Sequence, residues 1–265
     1  MQQQQQQQLQ QKNKLCITSS QFRLYFPDWI TVGILRTIHN QFGKQWIPFH
    51  RLFHVNDLSI SHPYSSTQRV GRFQLYLYST YIPCVVIVIL AFCKRSSLQS
   101  RSHLAQVSLL GLLFSVSSVS VLTDILKCWI GNPRPDFLAR CGPALKTPLN
   151  TLVGLDVCTS PLGIKHLYDG LRSTPSGHSS MAFAGLLFLS LWIFKQYKIL
   201  SRVEYRAGLV IVGCLPVLLA TYIALSRTQD YRHHFFDVIF GSLLGIVFAW
   251  FTHWKYFGCS QNRGW

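Results

Sequence analysis

Apolar residues along the chain gather into runs that approach the roughly 18–20 residues a membrane-spanning helix needs. Five are clear: Leu75–Phe92, with Pro83 as an expected kink, then Leu104–Leu126, Gly177–Phe194, Ala207–Leu225 and Phe235–Trp254. One such run could be a buried core helix, but five in one chain point to an integral membrane protein. Trp192, Trp250, Trp254 and Tyr256 fall near the ends of runs, where interfacial aromatics gather. A weaker stretch, Trp29–Trp46, contains Arg36, His39, Asn40 and Lys44, each costly at bilayer depth. It reads either as a first span or as an amphipathic helix lying on the membrane. The expected fold is an all-α bundle of about six transmembrane helices.

Composition sharpens the class. The 265 residues carry 25 Lys+Arg against 9 Asp+Glu, a net charge of +16, yet only 13% are charged. Soluble domains carry ~25%, and a basic nucleic-acid binder has a generally charged surface, so no nucleic-acid partner is expected. An apolar share of 49% and a mean hydropathy of +0.22 exclude disorder for most of the chain. The exception is the start, MQQQQQQQLQQKNK. Residues 1–23 therefore read as a flexible Gln-rich tail, 24–256 as the transmembrane domain and 257–265 as a short second tail. The start lacks the apolar stretch of a cleavable signal peptide, so the spans themselves are expected to direct insertion.

Charge in the links sets the expected orientation. Lys94, Arg95 and Arg101 crowd one short link, and Lys195, Lys198, Arg202 and Arg206 crowd another. Both fall on one side, which the positive-inside rule makes cytosolic. The long connection Lys127–Ser176 and the short loop Ser226–His234 then share the extracytoplasmic side. That connection is itself basic (Arg134, Arg140, Lys146, Lys165, Arg172), which suggests cations kept for chemistry.

Three short elements on that side carry the candidate chemistry. In K-C-W-I-G-N-P-R-P, Lys127 and Arg134 are two cations able to hold phosphate, Arg by a planar fork and Lys as a point charge. Taken alone they read more readily as snorkelling residues or headgroup anchors, because basic span ends are common. In T-P-S-G-H, Thr174–His178, a helix start offers free N–H groups, Ser176 a hydroxyl, Gly177 clearance, and His178 a proton. The plain alternative is an ordinary Ser cap with His turned to water. In Ser226–Asp237, His233 and Asp237 stand four apart, on one face if that part is helical. The carboxylate would then fix the tautomer of a nucleophilic imidazole, which His234, about 100° away, cannot match. Arg227 adds a further phosphate fork. The His–Asp pair also reads as two polar groups satisfying each other.

Taken together, Lys127-x6-Arg134-Pro135, Pro175-Ser176-Gly177-His178 and Ser226-Arg227-x5-His233-x3-Asp237 resemble the three-part signature of the type 2 phosphatidic acid phosphatase superfamily, the lipid phosphate phosphatases. The likeness runs from about Asp28 to Trp254. Phe49–Tyr64, Arg134–Pro143 and Asp169–Ser173 resemble the eukaryotic branch, and within it the fungal diacylglycerol pyrophosphate/phosphatidate phosphatases. The resemblance implies a site at the extracytoplasmic bundle mouth. There Lys127, Arg134 and Arg227 hold phosphate beside Ser176 and Gly177, His233 attacks phosphorus, Asp237 orients it and His178 protonates the leaving group. It implies no metal and no cofactor, and the chain shows no carboxylate cluster suited to Mg²⁺ or Mn²⁺. Implied substrates are diacylglycerol pyrophosphate, phosphatidate and lysophosphatidate. Alternatives are a polyprenyl or dolichyl diphosphate phosphatase, or a catalytically silent scaffold or transporter. Gln68 stands where relatives often have an acidic residue, and Thr174 where they often have an aromatic. Neither is expected to touch the three elements.

Two further expectations concern compartment. Cys141 and Cys158 lie well inside the long connection and could close a loop in an oxidising lumen, or remain free thiols. Vacuole, Golgi, endoplasmic reticulum and plasma membrane all remain open, as does oligomeric state, and membrane lipids are the surroundings.

Overall fold

The computed structural model describes residues 23–41, 46–199 and 207–258. The Gln-rich start, the last residues and the link cations Arg202 and Arg206 lie outside the described residues. Helices are α1 (23–41), α2 (Arg72–Phe92), α3 (Leu98–Ile130), α4 (Phe137–Cys141), α5 (Ile164–Gly170), α6 (Gly177–Tyr197), α7 (Ala207–Gln229) and α8 (Phe235–Gly258). Among the described residues there are no strands, only isolated bridges such as Phe53 to Val153. Five helices (α2, α3, α6, α7 and α8) are long and apolar enough to cross a membrane.

The first helix differs from the sequence reading. It occupies residues 23–41, while Trp46 lies in irregular chain. At 1.5 Å per residue it is about 28 Å long, close to the hydrocarbon thickness. Asp28 near its start accepts from Lys255 Nζ (3.1 Å) and Tyr256 Oη (2.8 Å) at the end of α8. His39 near its end meets Asp124 Oδ2 (2.6 Å) on α3 and Tyr76 Oη (2.8 Å) on α2. The helix therefore runs the length of the bundle. Two of the polar residues that depress its hydropathy, Asp28 and His39, are matched by partners on neighbouring helices, which sequence periodicity cannot reveal, while Lys44 lies outside the described residues. In α2 the irregularity precedes Pro83: a π turn covers Leu77–Tyr81 before the α-helix resumes at Ile82.

Helix α6 is the axis of the bundle, packed against α2, α3, α7 and α8. Its small residues make this possible. A Cβ at Gly185 would lie 1.9 Å from the Ser79 carbonyl oxygen of α2. On α8, Gly241 and Gly245 stand four apart, and a Cβ at either would lie 2.4 Å from the carbonyl oxygen of Ser176 or Ser180 respectively. This small-xxx-small face lets α8 meet the start of α6 backbone to backbone. Hydroxyls and indole join α3 to α6: Ser115 Oγ donates to the Ala184 carbonyl (3.0 Å), Trp192 Nε1 donates to Ser108 Oγ (2.7 Å), and the Thr123 and Ser180 hydroxyls pair at 2.9 Å. Gly241→Ala is expected to cost about 1–3 kcal/mol by overpacking, read as a lower unfolding temperature in detergent. Activity should fall with it, because the displaced atom belongs to Ser176.

At one bundle end, Lys94 Nζ donates to Gln196 Oε1 (2.6 Å), so the two basic links do meet on one face. At the other end, segments 46–71 and 131–176 form a cap. Its small core holds Phe53, Ile60, Phe137, Val153, Leu167 and Leu171, and a disulfide joins Cys141 to Cys158.

Candidate active site

The cap and the helix ends bring all three sequence elements to one place. Helix α3 stops at Gly131, which adopts φ 58°. A Cβ there would lie 2.1 Å from the Phe49 carbonyl oxygen, so glycine is required twice over. The turn that follows is stitched to the approach of α6. Asn132 O accepts from Ser173 N (3.0 Å), Asn132 Nδ2 donates to Thr174 Oγ1 (2.9 Å), and Arg134 N donates to Gly170 O (2.8 Å). Lys127, in the last turn of α3, donates from Nζ to the carbonyls of Arg172 (2.7 Å) and Ser173 (3.3 Å). The first and second elements are thereby fixed to each other.

Ser176 is the N-cap of α6. Its Oγ accepts from Ser179 N (3.5 Å) and Ser179 Oγ (3.0 Å), while its own N–H donates to the Asp237 carbonyl (2.9 Å). The capping role weighed from sequence is thus present, and the last bond ties the second element to the third. Gly177 leaves clearance beside Lys127: a Cβ there would only touch Lys127 Cε at 3.7 Å. His178 lies within electrostatic reach of Arg227, Arg134 and Lys127 and of the His233 imidazole, which places it among the other candidates. Its Nε2 is buried without a hydrogen-bond partner.

Arg227, at the end of α7, is 1% exposed. It donates from Nη2 to Asp230 Oδ2 (2.6 Å), from Nε and Nη2 to Ser226 Oγ (3.2 and 3.1 Å), and from Nη1 to Gln68 Oε1 (3.0 Å). The expectation that Gln68 and Thr174 stand apart from the three elements is therefore wrong. Gln68 holds Arg227 across 159 residues of sequence, and the Thr174 hydroxyl donates to Asp237 Oδ1.

The third element also departs from its expected geometry. His233 precedes the helix: α8 begins at Phe235 with His234 as N-cap. Asp237 is then the third helical residue, and its Oδ2 turns back to accept from the N–H of His234 (2.8 Å). Ser173 Oγ also donates to that oxygen (2.5 Å). His234 Nδ1 lies 3.3 Å from Asp237 Oδ2 and its Nε2 lies 3.2 Å from the Ser59 carbonyl. His233 Nδ1 is 3.8 Å away, an ion-pair distance beyond a hydrogen bond, and is left without a partner. The i, i+4 argument failed because only one of the two residues is helical.

Electrostatics separate the two histidines. Burial pushes His233 down to about 3; the Asp237 carboxylate opposes this, and Lys127 and Arg134 add to it. Near neutrality His233 is an uncharged imidazole. His234, half-exposed, is raised, chiefly by its hydrogen bond to Asp237.

Sequence reasoning missed the carboxylates and cations that hold Arg134 in place. Arg134 Nη2 donates to Asp169 Oδ1 (3.0 Å), while Arg140 donates to Asp136 from Nε (2.9 Å) and Nη2 (2.8 Å) and to Asp169 Oδ2 from Nη1 (2.9 Å). Arg232 lies 3.8 Å from both carboxylates, and the Tyr64 ring sits between Arg140 and Arg232 at 5.0 and 4.9 Å. Burial raises Asp169, but Arg134 and Arg140 outweigh it and hold the carboxyl well below the usual range. Asp169 thus fixes Arg134 as a fork with Nε still unpaired. The motif D-G-L-R-S was visible in sequence, but not its partners. Asp169→Asn should lower the kcat/KM of phosphate release about 10–100-fold through a misplaced Arg134, mostly as a higher KM. Among the described residues, no group of three His, Cys, Asp or Glu is placed to hold a metal ion.

Comparison with known proteins decides the family. The PAP2 superfamily profile matches residues 108–260, which include all three elements. The chain belongs to the PAP2 superfamily. It is 47% identical to diacylglycerol pyrophosphate phosphatase 1 of Saccharomyces cerevisiae, over 79% of this chain and 72% of that protein. It is 34% identical to lipid phosphate phosphatase 1 of Arabidopsis thaliana, over 89% of this chain and 74% of the relative. Lipid phosphate phosphatase 2 of the same plant is 32% identical over 89% and 78%. No solved structure matches the chain. As a PAP2 member, the chain carries the superfamily's matched segment from mid-α3 through α8, while α1, α2 and the first part of the cap lie before it.

Proposed function

We propose that this protein is a membrane-embedded lipid phosphate phosphatase that needs no metal. Its substrates are diacylglycerol pyrophosphate, phosphatidate and lysophosphatidate, and the reaction passes through a phosphohistidine at His233. The observation that carries the reading is the convergence of three cations, Lys127, Arg134 and Arg227, around the buried His233 and the partly buried His178, each with one ring nitrogen that lacks a hydrogen-bond partner. Buried polar atoms are normally satisfied, so the unpaired His178 Nε2 suits a group whose partner is substrate, and the unpaired His233 Nδ1 suits a donor that closes on Asp237.

The chemistry follows from that arrangement. Lys127 and the forks of Arg134 and Arg227 neutralise the phosphate oxygens, beside the helix start at Ser176 and Gly177. With Nδ1–H turned toward Asp237, His233 keeps a lone pair on Nε2, which attacks phosphorus as the P–O bond to the lipid breaks. Asp237, held by Ser173, Thr174 and the His234 N–H, needs only a small movement of His233 to complete that contact; such bonds often tighten when substrate binds. His178 gives its proton to the departing oxygen. It then takes one from the water that cleaves the P–N bond, which restores His233 and releases phosphate.

The site is assigned to the extracytoplasmic side. Support comes from the basic links gathered at the far bundle end and from the disulfide in the cap over the site. A glycosylation acceptor inserted between Thr147 and Leu155 should be modified in cells. Modification of an acceptor at Lys94–Arg101 instead would reverse the orientation.

Competing purified lipids test the substrate assignment. The glycerolipid phosphates should be hydrolysed with higher kcat/KM than a polyprenyl diphosphate; the reverse order would favour the prenyl reading.

A further inference from the structure

Beside Arg227 lies a cleft of about 510 Å³, open at the bundle mouth. One wall comes from the segment before α2, including Tyr64, Ser65, Thr67, Gln68 and Arg69, and the other from Gln229, the last residue of α7, with Asp230 and Tyr231 that follow it. None of the three signature cations or the two unpartnered imidazoles lines it. Gln68 connects it to the site: its Oε1 is engaged by Arg227 Nη1, while the exposed remainder of its amide belongs to the cleft wall.

The cleft is built to favour negative charge. Its one carboxylate, Asp230, has a side chain only 4% exposed, and its charge is taken up by Arg227 Nη2 at 2.6 Å and Arg69 N at 3.1 Å. The Arg69 side chain is 51% exposed and forms an ion pair with Asp230 at 3.7 Å, longer than a hydrogen bond, so its charge is shared with Asp230 while its N–H donors stay open to the cleft. An exposed guanidinium and an amide N–H₂ therefore face the cleft, while the neutralised acid is withdrawn from it. An acidic side chain at position 68 would bind Arg227 equally well but would present negative charge and no donor.

We infer that Gln68 and Arg69 form a second phosphate subsite, which receives the non-reacting phosphate of a diphosphate lipid while the terminal phosphate sits among Lys127, Arg134 and Arg227. The inference rests on the phosphatase reading above and adds to it the residues that favour diphosphate over monophosphate substrates. Gln68 has two roles, since it also positions Arg227. Arg69 touches none of the signature residues directly; its side chain reaches Arg227 only through the longer, 3.7 Å pair with Asp230, so it reports the subsite more cleanly than Gln68.

The test uses the full chain purified in detergent, with diacylglycerol pyrophosphate and phosphatidate as paired substrates. Arg69→Gln should raise KM about 3–10-fold more for the diphosphate lipid than for phosphatidate, with the change in KM rather than in kcat. Gln68→Glu should lower kcat/KM for the diphosphate lipid about tenfold more than for phosphatidate. Equal losses on both lipids in both variants, or no change from Arg69→Gln, would overturn the subsite while leaving the phosphatase reading in place. A wild-type protein that releases phosphate from neither lipid would overturn that reading and the subsite together. Thermal unfolding of each variant separates misfolding from selectivity, and Arg69, being exposed, is the variant least exposed to that failure.

Discussion

His233→Ala should abolish turnover, by at least about 10⁴-fold, together with any phosphoenzyme trapped by acid quench. His234→Ala should keep substantial activity. The structure makes this a sharp test, because Asp237 Oδ2 lies closer to His234 Nδ1 (3.3 Å) than to His233 Nδ1 (3.8 Å). Proximity to the carboxylate alone would choose the wrong histidine. His233 is instead favoured by its burial, its Nδ1 left open toward Asp237 and its uncharged state, pushed down to about 3 chiefly by that burial, with Lys127 and Arg134 adding to it. His234 is half-exposed, caps α8 and is occupied at both ring nitrogens. A phosphoenzyme that survives His233→Ala and vanishes with His234→Ala would exchange their roles. The imidazole state has a stability consequence as well. Between about 3 and the ordinary value of 6.5 the unfolded chain binds a proton at His233 that the folded chain refuses, so this residue's contribution to stability falls as pH is lowered through that window.

The second large effect belongs to His178. Removing its proton should slow release of a lipid alkoxide by about 10²–10⁴-fold. A phosphate leaving group is far less basic, so His178→Ala should cost diacylglycerol pyrophosphate hydrolysis much less than phosphatidate hydrolysis. Equal losses on the two lipids would assign His178 to binding rather than proton transfer. This split is distinct from that of the Gln68–Arg69 cleft: His178→Ala acts on kcat and weighs less on the diphosphate, whereas Arg69→Gln acts on KM and weighs more on the diphosphate.

Much of this was legible in the chain because the relevant signals are local. Runs near 20 apolar residues mark spans whatever their neighbours, and Lys127–Arg134, Ser176–His178 and Arg227–Asp237 are short elements with fixed internal spacing. What escaped depends on contacts between distant segments or on helix ends. Residues 23–41 hid among polar side chains because Asp28 and His39 find partners on α8, α3 and α2. The His233–Asp237 face presumed a helix that starts only at Phe235. Gln68 and Thr174 looked peripheral because nothing local links them to Arg227 and Asp237, and Asp169 declared itself only once Arg134 and Arg140 were seen on either carboxylate oxygen.

The central claim, that this chain dephosphorylates lipids with its own cations and histidines, is tested most directly by phosphate release from the purified wild-type protein in detergent, with chelator present throughout. The account predicts release from both diacylglycerol pyrophosphate and phosphatidate, undiminished by chelation and lost in His233→Ala. No release from either lipid, or release that appears only when a divalent metal is restored, would contradict it.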